Sequence, residues 1–247
     1  MPSPQIPLTL TEPGHPLMPS SAPQRLDRIA RLLVLGLALL PATVPPHAAS
    51  GAEPPADWRP LFDGKELGQW KPTPFGGEGE VTAADGVLRI AMGADLSGVT
   101  WKGEFPKQNF ELALEARRVE GSDFFCGLTF PVGESHCSLI VGGWGGGVVG
   151  LSSIDGEDAA NNATTKVVSF TEDRWYDIRV RVTPDRIVCL LDDERIIDQP
   201  LAGHELSVRE EVVPSQPLGI STYATTAELR KIRWRPAAGD AEPPPQP

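Results

Sequence analysis

The sequence predicts an all-β protein, a two-sheet antiparallel jelly-roll sandwich. Three observations carry this. Runs of alternating polarity rich in Val, Ile, Thr and aromatics recur between Gly, Pro and Asp punctuation. No segment after residue 57 sustains a helical period. The length left after the terminal segments, roughly 180 residues, suits one sandwich with a real core. A closed barrel is the architectural alternative, since it has the same many short, evenly spaced strands.

The clearest predicted strands are Val87–Met92, Phe110–Val119, Phe124–Phe130, Cys137–Val141, Val167–Phe170, Trp175–Val182, Ile187–Leu191, Arg195–Ile197, Leu218–Thr222 and Glu228–Trp234. In Tyr176–Val182 the apolar residues face one way and Asp177, Arg179 and Arg181 the other, so one face of that sheet is solvated. Thr183-Pro184-Asp185-Arg186 and Asp192-Asp193-Glu194 carry turn chemistry and read as successive reversals of a meander.

The N-terminal region has a different character. Arg25, Asp27, Arg28 and Arg31 precede the apolar run Leu32–Leu40, which a small-residue stretch through Ala52 follows. That order is the pattern of a secretory signal peptide, cleaved near Ala49 to Ala52. An uncleaved anchor is the rival, but Leu32–Leu40 is far shorter than the ~20 residues of a membrane span. The expected organisation is an extension and signal peptide over 1–52, with Met18 as an alternative start, then a linker over 53–56. The β domain follows over 57–236, and an acidic, proline-rich tail over 237–247. The expected destination is the periplasm or the exterior, with no membrane span after cleavage.

A formal charge of −11 and a pI near 4.8 give no basic field for phosphate backbones, so nucleic acid is not an expected partner. Three cysteines, Cys126, Cys137 and Cys189, leave at least one unpaired. Cys126 and Cys137 lie in strands joined by Pro131–Glu134, where a hairpin offers a bridge; three small buried hydrophobes is the other reading.

Chemistry-bearing residues gather in the middle of the chain. Alternation places Phe124, Cys126, Leu128 and Phe130 on one face and Asp123, Phe125, Gly127 and Thr129 on the other; the next strand sets His136, Ser138 and Ile140 apart from Cys137, Leu139 and Val141. The polar set is the expected ligand face. His136 is the candidate general base, because an imidazole titrates near neutrality, and Asp123 the residue that orients or protonates. Each has an ordinary structural role as its rival, a strand-edge histidine and a turn cap.

Gly142-Gly143-Trp144-Gly145-Gly146-Gly147 lets backbone approach a ligand while Trp144 stacks on a sugar ring, or else folds back onto the core. The loop acids Asp155, Glu157 and Asp158 read as substrate-binding groups, with Asp158 a candidate catalytic acid; Ca²⁺ ligation and a solvated loop are the alternatives. Tyr223 and Ser138 complete the expected substrate-binding set. Gly145-x-Gly147-x-x-Gly150 matches a dinucleotide fingerprint only formally, since no amphipathic helix follows it. Zinc spacing and a Gly-x-Ser-x-Gly elbow are absent from the sequence, and no cofactor is expected.

Leu61-Phe62-Asp63-Gly64-Lys65-Glu66-Leu67-Gly68-Gln69-Trp70 resembles the entry motif of the 3-keto-disaccharide hydrolase domain family. Ala84–Leu88, Asn109–Leu112, Arg174–Val180, Leu191–Glu194, Leu218–Ile220 and Leu229–Arg233 continue the likeness in order over nearly all of the domain. The resemblance implies a concanavalin A-like jelly roll, secretion, a carbohydrate ligand and hydrolysis of glycosides oxidised at sugar C3. The strand Ser135–Val141 departs from the family pattern, lacking the acid usual there. A glycan-binding module of the same fold, without catalysis, is the alternative.

Overall fold

The computed structural model describes residues 58–237, so the predicted leader, the linker and the tail beyond residue 237 lie outside the described residues. Among the described residues fifteen strands form in chain order. The first five are β1 (Arg59–Pro60), β2 (Trp70–Pro72), β3 (Val81–Ala84), β4 (Val87–Ile90) and β5 (Leu96–Trp101). Next come β6 (Phe110–Gly121), β7 (Cys126–Val132), β8 (Ser135–Gly143), β9 (Val148–Ser152) and β10 (Lys166–Val167). The meander β11 (Tyr176–Val182), β12 (Arg186–Leu191) and β13 (Glu194–Pro200) precedes a 3-10 helix, Glu210–Ser215, and β14 (Gly219–Tyr223) and β15 (Thr225–Pro236) close the chain.

These strands make the two antiparallel sheets of a jelly-roll sandwich. Sheet A runs β13-β12-β11-β6-β15-β4-β3, with β1 paired to β15; sheet B runs β10-β9-β8-β7-β14-β5-β2. The alternating residues of both inner faces meet between them. Leu112, Leu114, Ile178, Val180, Ile187 and Leu229 come from sheet A, and Leu128, Phe130, Leu139, Val141, Leu151 and Ile220 from sheet B. Trp70 is fully buried in this core, and its indole N–H donates to the Leu61 carbonyl at 2.9 Å, which fixes the entry segment on the sandwich.

The outer face of sheet A is charged and self-paired. Glu228 takes Arg89 and Arg117, Glu115 takes Arg230 and Lys231, and the Trp175 ring meets the guanidinium groups of Arg117 and Arg230 at 4.8 and 4.0 Å.

Three readings of the sequence are corrected. The β7–β8 hairpin forms, but its register sets Cys126 opposite Val141 and Cys137 opposite Phe130. The cysteines are thus four rungs apart, about 13 Å along the strands, beyond the reach of a disulfide. All three thiols are free and buried. Second, Phe125 rather than Phe124 turns inward, against Phe170 and Tyr176 at 5.1 and 5.8 Å. The strand begins only at Cys126, and the bend before it reverses the alternation. The strand expected over Val167–Phe170 shrinks to Lys166–Val167, with Val167 85% exposed at the sheet edge. The short strands β2 and β3, together with β5 and β9, went unforeseen; their Gly, Pro and Ala content hides the period-two signal.

Candidate functional site

The outer face of sheet B has a low floor of glycines and hydroxyls. Register aligns Thr100, Gly219, Thr129, Ser138 and Ser152 in one row across five strands, and Gly98, Ser221, Gly127, Ile140 and Gly150 in the next. The glycines let covering segments settle directly on the sheet. A Cβ on Gly127 would lie 2.9 Å from the Phe124 ring, and one on Gly219 would lie 2.5 Å from the Ser215 carbonyl oxygen.

Two walls rise from this floor. At one end of the strands stand Asp95, Leu96, Asp123, Phe124, Trp144 and Tyr223, contributed by the starts of β5 and β7 and the ends of β8 and β14. Phe124 and Tyr223 stack at 6.1 Å with 29° between their planes, and the Tyr223 hydroxyl reaches Asp95 Oδ1 at 3.4 Å. At the other end the chain after β13 pairs with Ser153 and Asp155 through Ser207 and Glu205, then crosses the sheet. It ends in the 3-10 helix, where Thr100 Oγ1 donates to the Pro214 carbonyl at 3.0 Å. This crossing segment supplies Arg209, Glu211 and Val212. Between the walls, over Ser138, Ile140 and Ser152, lies a pocket of about 490 Å³.

The Trp144 wall is held from behind by a buried cation. Arg118, 7% exposed, donates through Nη2 to the carbonyls of Asp123, Gly142 and Gly146 at 3.0, 3.2 and 3.1 Å. Burial pulls its pKa below the usual arginine range, with the nearby Asp123, Glu172 and Tyr176 opposing. From the front, Asp123 accepts from the backbone N–H groups of Phe124 (Oδ1, 2.8 Å) and Gly145 (Oδ2, 2.9 Å). Trp144 sits between these anchors at φ +48°, left-handed backbone that its glycine neighbours make accessible, and the residue is 43% exposed.

Of the residues singled out from the sequence, Asp123, Ser138, Trp144 and Tyr223 converge on the pocket. His136, two positions from Ser138 on the same face of β8, does not line it; burial, and then the charge of Lys107, lower its pKa. Asp158 stands behind the wall, paired with Arg209 Nη1 at 3.1 Å and accepting from Ala160 and Asn161. Asp155 turns away to His204 Nδ1 at 2.7 Å and the Glu205 N–H at 2.8 Å; the Glu205 bond, and then His204, hold its carboxyl below the ordinary range. The Glu157 side chain is exposed, while its carbonyl accepts from Asn162. The three loop acids therefore do not share a centre, and no cluster of three or more metal-ligating side chains occurs among the described residues.

Asp95, Phe124, Ser152, Arg209 and Glu211 are pocket residues that sequence reasoning passed over. Arg209 Nε donates to Glu211 at 2.5 Å. Burial works to raise the Glu211 pKa, but hydrogen bonds from its own backbone amide and from Arg209 outweigh it and hold the carboxyl below its usual value.

The 3-keto-alpha-glucoside-1,2-lyase-like domain family matches the chain over residues 57–235, nearly the whole sandwich. The chain belongs to this family. Its membership makes the sandwich a carbohydrate-related domain and agrees with the resemblance carried by the entry motif. No curated protein matches the chain. Among solved structures, the apo Crh5 transglycosylase is similar at 12% identity, with 74% of this chain and 85% of that one covered and a TM-score of 0.51. A putative glycosyl hydrolase from Parabacteroides distasonis matches at 13% identity, over 73% and 94% of the two chains, with a TM-score of 0.47. The carbohydrate-binding module CBM66 from Bacillus subtilis matches at 14% identity, over 68% and 95%, with a TM-score of 0.45. The likeness to the transglycosylase speaks to the fold. No helix among the described residues of this family member is long and apolar enough to cross a membrane.

Proposed function

We propose that the protein cleaves glycosides oxidised at sugar C3, by elimination and hydration, in the pocket on sheet B. The reaction is chemically undemanding. The ketone acidifies the hydrogen on C2, so a base removes that proton and the electron pair becomes an enolate on the C3 oxygen. The enolate collapses to expel the C1 oxygen substituent, which takes up a proton. Water then adds at C1, and C2 regains a proton. Such a site needs a base beside C2 and positive charge or donors beside the C3 oxygen, and it dispenses with a pair of carboxylates astride the glycosidic bond.

The observation that carries this reading is the placement of carboxylates and a guanidinium on facing walls of one sugar-sized pocket. Asp95 and Asp123 stand on the aromatic wall and Arg209 on the other. Both Asp123 oxygens are taken by backbone N–H groups, whereas Asp95 meets only the long contact from Tyr223, so Asp95 is assigned as the base. Arg209, steadied by Asp158 and Glu211, supplies the positive charge for the enolate. Trp144 and the Phe124–Tyr223 stack present ring faces to the sugar. Residues 1–52 act as a leader, and the domain works in the periplasm or outside the cell.

A binding module without catalysis is favoured by a single observation: the carboxylates of Asp123 and Glu211 are already engaged by donors, which leaves them less free to take a proton from a ligand. A panel of 3-keto-disaccharides assayed for released sugar separates the two. The reaction predicts turnover by the wild type and a loss of about 10²- to 10⁴-fold in kcat for Asp95→Asn. Binding that disappears in Trp144→Ala, with no turnover by any form, would establish the module instead.

A further inference from the structure

The buried hydroxyl of Ser152 has no hydrogen-bond partner. Of the buried side-chain polar atoms in that condition among the described residues, Arg118 Nε, Ser215 Oγ, Thr222 Oγ1 and Arg233 Nε belong to residues that do not line the pocket; Ser152 does. The residue is 1% exposed and lies on the floor directly beside Ser138 in the β8–β9 register. Neighbouring Cα atoms in such a pair stand about 4.5–5.5 Å apart, so the two hydroxyls can converge on one oxygen. Ser138 shares a 2.8 Å hydrogen bond with Thr129 on its other side. A hydroxyl pair uses one of its two protons, so when Thr129 donates to Ser138, the Ser138 proton is free to point along the row towards Ser152.

An unpaired hydroxyl in a buried floor is destabilising, and a ligand acceptor would supply the missing bond on binding. The neighbouring wall is Arg209, the cation already assigned to the developing enolate. Together these features describe an acceptor-oxygen subsite.

We infer that Ser152 and Ser138 form the subsite for the C3 ketone oxygen, donating two hydrogen bonds that strengthen as the ketone becomes an enolate. This assignment rests on the elimination reading of the same pocket. It makes Ser152 a direct contact to a reacting atom and gives the site a means of favouring the oxidised sugar, since an enolate oxygen accepts more strongly than an alcohol.

The test is steady-state kinetics on a 3-keto-glucoside with wild type, Ser152→Ala and Ser152→Thr, alongside thermal unfolding of each. Ser152→Ala is expected to lower kcat about 10- to 100-fold with KM within about threefold, because the interaction grows in the transition state. Its Tm is expected to stay level or rise, since the change removes an unsatisfied buried group. Ser152→Thr, which keeps the hydroxyl on a β-branched side chain suited to a strand, restores most of the rate. Unchanged kcat in Ser152→Ala beside an active wild type would mean that this hydroxyl makes no bond to the reacting oxygen, and the subsite would fall while the reaction stood. A wild type inactive on every 3-keto-glycoside would remove the reaction and the ketone assignment together.

Discussion

Replacing Arg118 by Met isolates what holds the aromatic wall. The thioether side chain keeps the aliphatic bulk over Phe125, whose ring centre lies 5.3 Å from the guanidinium carbon, but removes every donor. Nη2 carries two hydrogens and serves three carbonyls at 3.0–3.2 Å, so its three contacts are worth roughly two full bonds. At about 2 kcal/mol each for a charged donor, that is about 4 kcal/mol. The guanidinium is buried without a carboxylate in contact and its Nε is unpartnered, so desolvation returns about 1–2 kcal/mol when the charge is removed. The net loss is then about 2–3 kcal/mol. At about 2–4 °C per kcal/mol for a domain of this size, Tm falls by about 5–10 °C. The loss is local in origin, since the three carbonyls belong to the bend before β7 and the Gly142–Gly147 loop. Amide exchange over residues 142–147 should therefore speed up more than exchange in β11 or β12, and glycan affinity should fall with it. A variant whose Tm lies within 2 °C of wild type, or whose exchange rises uniformly, would refute the claim that Arg118 anchors the Trp144 loop.

Two further outcomes follow from the same geometry. Reductant should leave Tm unchanged, and alkylation of the native protein should modify none of the three cysteines until it unfolds, because burial pushes the Cys126 and Cys137 thiols up to about 12 and Cys189 well above its ordinary value; modification of one thiol at the rate of a free peptide would contradict the register. Stability should also decline in acid by two routes of the same sign. The His136 pKa lies below 6.5 when folded, so the unfolded chain protonates first and stability drops as pH falls from 6.5 through the folded value, a segment that His136→Gln should remove. Glu115 and Glu228 follow lower down: burial works to raise them, but their Arg and Lys partners hold them below 4.5, so their contribution is present above that pH and lost as pH falls through the folded values. Thermal unfolding across pH 3–8 reads both; a Tm independent of pH below 6.5 would be inconsistent with either.

The sandwich was legible because its long strands alternate cleanly. Tyr176–Val182 shows its inner and outer faces in the sequence itself, and the structure agrees residue for residue. The pocket was half legible. Trp144 announces itself through five flanking glycines, and Asp123, Ser138 and Tyr223 through their place at or near predicted strands. Arg209 and Glu211 were hidden because nothing local marks them: they reach the site only because a segment after β13 crosses the whole sheet, a decision made by tertiary packing. The face of Phe124 was misread because period-two reasoning assumes that a strand starts with its first apolar residue, and here a bend capped by Asp123 comes first.

The contrast between the two outer faces explains why the site belongs on sheet B. On sheet A each cross-strand carboxylate meets its own guanidinium or ammonium group. Glu228 faces Arg89 and Arg117, Glu115 faces Arg230 and Lys231, and Glu111 faces Arg235 at 2.6 Å, so the face neutralises itself and its arginines cover its tryptophans. A neutral sugar would have to compete with these pairs for every donor. Sheet B carries the opposite composition, hydroxyls that bond one another weakly and glycines that leave the backbone low. Around the pocket, charge stands in the walls, where Asp95 and Asp123 face Arg209 across an open floor. A polyhydroxylated ligand can therefore lie down on sheet B without breaking an ion pair, and the charge it meets there is held apart by the width of the pocket, ready to act on opposite sides of one ring.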